Sequence, residues 1–295
     1  MTSHPGDAPV SNLKYGYVRT NNIRLHYAEC GRGELVLLIH GFPSCWYTWR
    51  RQLPVLGERF RAVAIDLRGV NDSDSMPLIK NYRLEELAKD VAGAIRTLGQ
   101  GQASLVGHDW GGIVAQRVAA EHPKFVRKLV LINSPHIRAW RRELIMSPTQ
   151  IFKTWPFFFF QIPRLPELLL SKDACKPLLD YAFKDPALPP GTFTHKDIDY
   201  LRQALTKPGS VSAGLNWYRS VWRHQFWQIK RAPLIRSDTM LLWGQKDRFY
   251  QRAIAERMDR YFGGLLRVHF LSDGGHWLHE EKSEPVNKAI LDFLS

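Results

Sequence analysis

The chain has 295 residues, 44% of them hydrophobic, and a formal net charge of +13. This length and composition indicate a globular protein that can bury a full core in one domain or two. No segment reaches the ~18 consecutive apolar residues of a transmembrane helix, and residues 1–11 lack the apolar region of a signal peptide.

The three cysteines are odd in number and scattered along the chain: Cys30, Cys45 and Cys175. Such usage indicates a reducing compartment, so we expect an intracellular protein, either cytoplasmic or peripheral on an internal membrane. None of the three has the spacing of metal ligands, and we expect no metal and no other cofactor.

Much of the positive charge falls in residues 135–235, which hold 15 Lys and Arg against 7 Asp and Glu, together with 16 of the 35 aromatic residues. The simplest interpretation is a solvated basic face over an aromatic pocket. No nucleic-acid motif is present, so no nucleic-acid partner is expected. Peripheral contact of this stretch with an anionic membrane is a hypothesis.

The first third of the chain alternates strand and helix patterns. Residues 15–20 and 23–30 predict two strands joined by a turn at Asn21 and Asn22. Two continuous apolar runs predict strands buried on both faces of a parallel sheet, and two segments predict helices. The runs are residues 35–39 and 62–67, and the helices are residues 46–57 and 82–98.

The pattern changes after Ser134. Strands at residues 103–107 and 128–133 flank a helix over 113–120, but residues 135–235 contain short helical pieces and many prolines. Strands return at 239–244 and 266–271, and a helix over 284–294 follows. The sequence therefore predicts a doubly wound, mostly parallel α/β sheet formed by residues 1–134 and 236–295, with an inserted helical cap at 135–235.

A reactive turn is predicted at residues 103–112 (ASLVGHDWGG). A short apolar strand, glycines on both sides of a polar residue and a following helix form the pattern of a nucleophile elbow. The residue at its tip is Asp109, whose carboxylate is ionised at pH 7 without help from a base. It can attack a saturated carbon and form an ester. The alternative is a structural aspartate that caps the helix.

Four motifs occur in order along the chain: residues 40–43 (HGFP), 107–112 (GHDWGG), 216–219 (NWYR) and 275–277 (GHW). With these motifs the chain resembles the epoxide hydrolases of the α/β-hydrolase fold, over about residues 15–294. The nearest likeness is to animal members with a single hydrolase domain. Those relatives often carry a membrane anchor ahead of the domain, which is absent here, so the sequence is compatible with a truncated chain.

The resemblance implies a triad. Asp109 is the nucleophile, His276 activates water against the resulting ester, and Asp247 orients the His276 ring. His279 is the nearest rival for the base. Asp238 and Asp273 are weaker rivals for the acid.

The resemblance also implies the rest of the site. The backbone N–H groups of Phe42 and Trp110 form the oxyanion hole, and the Tyr218 phenol protonates the opening epoxide. The substrate is a hydrophobic epoxide, from a lipid or an aryl compound, that reacts with water to give a vicinal diol. The expected pocket residues are His40, Pro43, Trp155, Phe157, Trp217 and Trp277.

Two positions depart from the family pattern. Epoxide hydrolases generally have a second cap tyrosine a few residues ahead of the segment that is Phe160–Pro163 here, but residues 155–157 are Trp-Pro-Phe. This change puts the polarisation of the epoxide in doubt. The loop after the second buried strand also differs, with Val70 and Asn71 where an aromatic residue and glycine are usual.

Two other functions fit the same motifs. A haloalkane or haloacid dehalogenase forms the same ester, but the phenol of Tyr218 suits an alkoxide better than a halide ion. An α/β-hydrolase scaffold that binds a small molecule without turnover is the non-enzymatic alternative. The triad favours an enzyme, and epoxide hydrolysis is the function we expect.

Overall fold

The computed structural model describes residues 13–99, 101–186, 188–227 and 233–295. Residues 1–11, for which the sequence predicts no signal peptide, lie outside this part of the chain. None of the described helices is long and apolar enough to span a membrane.

The described residues form an eight-stranded sheet with the strand order β1-β2-β4-β3-β5-β6-β7-β8. Strands β3 to β8 run parallel, whereas β2 is antiparallel to β1 and to β4. The mostly parallel sheet is therefore as predicted. The strands are β1 Lys14–Thr20, β2 Ile23–Cys30, β3 Leu35–Ile39, β4 Arg61–Ile65, β5 Ala103–His108, β6 Val126–Ile132, β7 Asp238–Gly244 and β8 Leu266–Leu271.

Helices cover both faces of the sheet and fill the chain between β6 and β7. In chain order they are α1 Leu53–Gly57, α2 Leu84–Leu98, α3 Trp110–Glu121, α4 Ile137–Met146, α5 Pro148–Lys153, α6 Trp155–Phe159, α7 Leu165–Leu170, α8 Lys172–Phe183, α9 His195–Thr206, α10 Ser210–His224, α11 Arg252–Ala255, α12 Leu278–Glu281 and α13 Ser283–Leu294. Single 3-10 turns lie at Trp46–Trp49, Ile79–Tyr82, Pro123–Phe125 and Asp259–Tyr261.

The single helix predicted over residues 46–57 is wrong. A 3-10 turn at Trp46–Trp49 comes first, and the α-helix begins only at Leu53. Pro54 lies in the first turn of α1, where its missing N–H costs no helical hydrogen bond. Inside a continuous helix from residue 46, the same proline would remove one.

We call residues 135–235 the helical segment. Its described part contains α4 to α10, and its prolines explain why the helices are short. Pro148, Pro156 and Pro166 each lie at the start of a helix, in α5, α6 and α7 respectively. Each proline ends the previous element and opens the next, as its fixed φ angle favours.

The core has one apolar layer on each side of the sheet. Alternate residues of β3 separate them, because side chains of a strand point to opposite faces. Leu37 belongs to the layer that includes α2, α3 and the helical segment, whereas Leu38 belongs to the layer that includes α1 and α13. Both side chains are fully buried.

The turns that follow the carboxyl ends of the parallel strands meet at one edge of the sheet. They present Phe42 after β3, Asp109 after β5, Asn133 after β6, Asp247 after β7 and His276 after β8. In open α/β sheets this edge is where ligands bind. The topology thus brings residues more than 200 positions apart in sequence into one site.

We expect Gly111→Ala to destabilise the protein by about 1–3 kcal/mol, the usual cost of overpacking. Alanine has a higher helix propensity than glycine, so propensity alone would predict that the substitution stabilises the protein. Here a Cβ at residue 111 would lie 2.0 Å from the backbone oxygen of Ile39. Urea denaturation measures the free energy of unfolding.

The control is Gly263→Ala, where the nearest atom to an added Cβ is the Leu234 Cβ at 3.3 Å. This variant should lose less than about 1 kcal/mol, since the added Cβ requires its neighbours to shift by only a few tenths of an ångström. Equal stability of Gly111→Ala and the parent would contradict the close contact between α3 and β3.

Candidate active site

Asp109 lies on a strained turn between β5 and α3, with φ 49° and ψ −121°. Non-glycine residues rarely adopt such angles, and they do so mostly at functional sites. The neighbouring backbone is close: a Cβ at Gly41 would lie 2.6 Å from the Cβ of Asp109. The Asp109 side chain makes no capping hydrogen bond to α3. The alternative of a helix-capping aspartate is therefore wrong.

The two carboxylate oxygens of Asp109 have different partners. Oδ2 accepts a hydrogen bond of 3.2 Å from the backbone N–H of Phe42, and Oδ1 accepts one of 3.0 Å from the hydroxyl of Tyr250. Burial raises the pKa of Asp109, while the His276 charge, the N–H groups of Trp110 and Phe42, and the Tyr250 hydroxyl oppose this rise. The carboxylate is thus buried but solvated by protein donors.

Asp247 and His276 form a buried pair beside Asp109. His276 Nδ1 lies 2.9 Å from Asp247 Oδ2, and the Asn133 amide donates to the same oxygen at 2.7 Å. The other oxygen, Oδ1, accepts from the backbone N–H groups of Phe249 and Tyr250. Burial opposes ionisation of Asp247, but His276 and these donors lower its pKa below the usual value. Asp247 is therefore a carboxylate with every acceptor site used.

His276 is the basic group of the pair. Burial lowers the pKa of its imidazole, but the charge and hydrogen bond of Asp247, followed by the charge of Asp109, raise it above the ordinary value. Because Nδ1 faces the Asp247 carboxylate, Nδ1 carries the proton in the neutral ring and Nε2 is left as the free base.

The rival residues lie elsewhere. His279 is in α12, where its Nε2 bonds to the Thr48 hydroxyl at 2.7 Å, and burial lowers its pKa well below that of a free histidine. Asp238 is the exposed first residue of β7. Asp273 is exposed and pairs with Lys282. None of the three contacts Asp109.

Tyr218 projects from α10 towards the elbow. Its ring packs against those of Trp110, Phe160 and Phe42 with centroid separations of 4.7, 4.9 and 5.9 Å. Burial and then the charge of Asp109 raise the pKa of the Tyr218 phenol. Tyr218 therefore stays protonated at neutral pH and can donate.

A cavity adjoins these groups and contains about 570 Å³ of atom-free space, including its solvent-facing part. We call it the central cavity. Its lining is mostly aromatic and aliphatic and includes the polar groups of Asp109, Tyr218, Tyr250 and His276. The remaining lining residues are Phe42, Pro43, Trp140, Lys153, Thr154, Pro156, Phe157, Phe160, Leu178, Tyr181, Ala182, Phe249 and Trp277.

Of the six expected pocket residues, Pro43, Phe157 and Trp277 line the central cavity, whereas the other three do not. His40 is fully buried beneath it, bonded through Nδ1 to the Gly41 carbonyl and through Nε2 to the Leu67 N–H. Trp217 is also fully buried, and Trp155 is 50% exposed on the outer surface. For these three residues the sequence-based prediction is wrong.

Tyr250, Tyr181 and Lys153 line the central cavity but carry no motif of their own. The Lys153 ammonium donates to the backbone oxygen of Asp247. For Tyr250 a signal does exist in the sequence. It follows Asp247 by three residues in the loop after β7, at the edge of the sheet where the site residues converge.

This arrangement can perform nucleophilic substitution. A buried carboxylate faces an apolar cavity, phenolic donors flank it, and a histidine with a free nitrogen lies beside it. In the described part of the chain, His, Cys, Asp and Glu side chains form no group of three that could bind a metal ion.

Comparison with known proteins extends this picture. Residues 34–283 match the α/β hydrolase fold family. The chain is 34% identical to mouse epoxide hydrolase 4 over 286 residues, covering 95% of this chain and 79% of that protein. It is also 34% identical to the AB hydrolase superfamily protein YfhM of Bacillus subtilis, covering 97% and 99% of the two chains.

Among solved structures, a Bacillus megaterium epoxide hydrolase in complex with an inhibitor superposes with a TM-score of 0.87 at 28% identity, covering 95% of this chain and 99% of that one. The predicted α/β-hydrolase fold and the resemblance to epoxide hydrolases are thereby confirmed.

We expect Asp247→Asn to lower the pKa of His276, because the substitution removes the opposite charge and the charged hydrogen-bond partner that raise it. Titration of the imidazole nitrogens by NMR measures this value. Asp238→Asn, which removes an exposed carboxylate from the start of β7, the strand that precedes Asp247, is the control and should leave the titration of His276 unchanged. An unaltered His276 titration in Asp247→Asn would contradict the pairing.

Proposed function

The chain belongs to the α/β-hydrolase family and, within it, to the epoxide hydrolases, and we propose that it opens hydrophobic epoxides to vicinal diols through an ester on Asp109. The observation that carries this proposal is the position of the Asp109 carboxylate. It is ionisable, buried at the wall of an apolar cavity and held by a backbone donor on Oδ2.

In the first step, Oδ1 of Asp109 attacks a ring carbon of the epoxide and the carbon–oxygen bond breaks. The Tyr218 phenol hydrogen-bonds to the departing oxygen and protonates it. An alkoxide is a poor leaving group, so this acid catalysis is needed at neutral pH. The product of the step is a hydroxyalkyl ester of Asp109.

In the second step, His276 Nε2 takes a proton from water, which attacks Cγ of the ester. Asp247 stabilises the imidazolium that forms. Negative charge develops on Oδ2, where the N–H groups of Phe42 and Trp110 serve as the oxyanion hole. Loss of one such donor typically costs about 3 kcal/mol of barrier.

The charge of Asp109 links the two steps. That charge raises the pKa of His276 in the free enzyme. Ester formation moves this charge to the Tyr218 phenolate, so Asp109 no longer raises the pKa of His276 when the ring must act as a base. A neutral imidazole is therefore favoured in the ester intermediate rather than before it.

We further propose that residues 135–235 form a cap over a core of residues 1–134 and 236–295. The lining of the central cavity combines Phe157, Leu178 and Tyr218 of the helical segment with Asp109, Tyr250, His276 and Trp277 of the rest of the chain. The aromatic and aliphatic lining favours lipid or aryl epoxides over small polar ones.

The outer side of the helical segment exposes large apolar side chains among basic ones. Phe152 is 78% exposed, Met146 68% and Leu168 65%, and Arg142 and Arg164 are exposed nearby in sequence. Apolar groups beside cations fit an anionic lipid surface, which is also where hydrophobic epoxides partition. We propose peripheral membrane contact through this surface.

His276→Gln should trap the ester, because water lacks its base while Asp109 can still attack. Intact-protein mass spectrometry after exposure to a styrene-type epoxide should show one added substrate, and peptide mapping should locate it on Asp109. Asp109→Asn should form no adduct and lose turnover by orders of magnitude. Turnover by the parent enzyme without any adduct in His276→Gln would refute the ester.

Co-sedimentation with phosphatidylserine-containing vesicles tests the membrane contact. We expect binding at low salt that weakens at high salt, because screening reduces the attraction of the basic groups. Phe152→Ser combined with Met146→Ser should weaken binding. Leu265→Ser, which removes an exposed leucine from the turn before β8, should not. No binding at low salt would end this proposal.

A further inference from the structure

Tyr250 touches the reacting carboxylate without being part of the triad. It belongs to the loop after β7, and its backbone N–H donates to Asp247 Oδ1 at 3.0 Å. Its ring is buried, with edge contact to Trp140 and a tilted contact to Trp243 at centroid separations of 6.0 and 6.3 Å. The loop that presents the triad acid therefore also fixes the Tyr250 hydroxyl on Asp109.

The oxygen that Tyr250 contacts is the one that changes bonds twice. Oδ2 is bound to the Phe42 N–H, so the oxygen that remains to attack is Oδ1, which Tyr250 contacts at 3.0 Å. On the proposed function, Oδ1 becomes the bridging oxygen of the ester. When water adds to Cγ and the intermediate collapses, the Cγ–Oδ1 bond breaks and Oδ1 departs with the substrate as an alkoxide.

We propose that Tyr250 is the general acid of ester hydrolysis, donating its phenolic proton to Oδ1 as that oxygen leaves. The electron pair of the Cγ–Oδ1 bond goes to Oδ1, which takes the proton and becomes a hydroxyl group of the diol. The oxygen of water stays on Cγ. This proposal rests on the ester mechanism above and assigns its second leaving group.

The protons balance over the cycle. Tyr218 gives one to the epoxide oxygen and Tyr250 gives one to Oδ1. Water supplies both in return: His276 holds the first, and the second remains on the new carboxylic acid of Asp109. Transfer from the Asp109 acid to the Tyr250 phenolate and from the imidazolium to the Tyr218 phenolate restores the free enzyme.

The surroundings of Tyr250 suit this timing. Burial, and next the charge of Asp109, raise the pKa of the Tyr250 phenol in the free enzyme, so its proton is retained until the ester forms. Ester formation moves the negative charge from Asp109, to which the Tyr250 hydroxyl donates directly, onto the Tyr218 phenolate, so the carboxylate no longer opposes ionisation of Tyr250 in the step that needs its proton. Two alkoxides leave during the reaction: Tyr218 protonates the first and Tyr250 protonates the second.

Rapid-quench mass spectrometry of Tyr250→Phe measures ester formation and ester decay separately. We expect decay to slow about 100-fold, within the range that general acid catalysis supplies, while formation stays within about threefold of the parent. The ester should then accumulate during turnover. The matched control is Tyr218→Phe, which should slow formation and leave decay nearly unchanged.

A merely structural hydroxyl would give a different result. Epoxides with an electron-withdrawing substituent yield a better leaving alkoxide, so they should recover much of the decay rate in Tyr250→Phe and change it little in the parent. If Tyr250→Phe fails to fold by circular dichroism, ring-fluorinated tyrosine at position 250 replaces it. Because the fluorinated phenol is more acidic, the alkaline limb of the pH–rate profile for ester decay should move to lower pH. The profile for ester formation should not move.

Two results would overturn the role of Tyr250 while leaving the ester mechanism intact. One is ester decay at the parent rate in folded Tyr250→Phe, and the other is an unshifted alkaline limb of the pH–rate profile for decay with fluorotyrosine. Failure of the ester mechanism itself would appear differently, as the absence of any Asp109 adduct in His276→Gln.

Discussion

The site depends on how one carboxylate is held. Asp109 has a left-handed backbone on a turn so close to the neighbouring strand that Gly41 and Gly111 leave no room for a Cβ. Each carboxylate oxygen then has its own donor: Oδ2 accepts from the Phe42 N–H, and Oδ1 accepts from the Tyr250 hydroxyl beside the central cavity. A buried charge would otherwise be costly, and these donors offset the loss of water.

The same charge acts on three neighbouring groups. It raises the pKa of His276, of Tyr218 and of Tyr250, in each case alongside the effect of burial or of Asp247. In the proposed reaction ester formation takes the charge off Asp109 and leaves it on the Tyr218 phenolate. One covalent event then makes the His276 ring easier to deprotonate and the Tyr250 phenol easier to ionise. The charge of Asp109 in the free enzyme therefore favours ester formation first, and its loss from Asp109 favours ester hydrolysis next.

Much of this could be predicted from the sequence, because strongly periodic segments and the turns after buried strands leave clear patterns. The apolar run at Leu35–Ile39 and the glycines around Asp109 are such cases. Cavity lining is harder, since it depends on how helices with short connections pack and where each side chain points. Trp155 shows the difficulty: it stands where the family's second cap tyrosine is expected, which suggested a pocket wall, but its side chain in α6 is 50% exposed. Tyr250 was missed because one tyrosine in a loop has no periodicity.

The most direct test of the central claim is a single turnover with excess enzyme in water enriched in heavy oxygen. If Asp109 forms the ester, the oxygen added to the substrate comes from the carboxylate. The first diol should then be unlabelled, and peptide mass spectrometry should find the label in Asp109. Label in the first diol, with none in Asp109, would contradict the account.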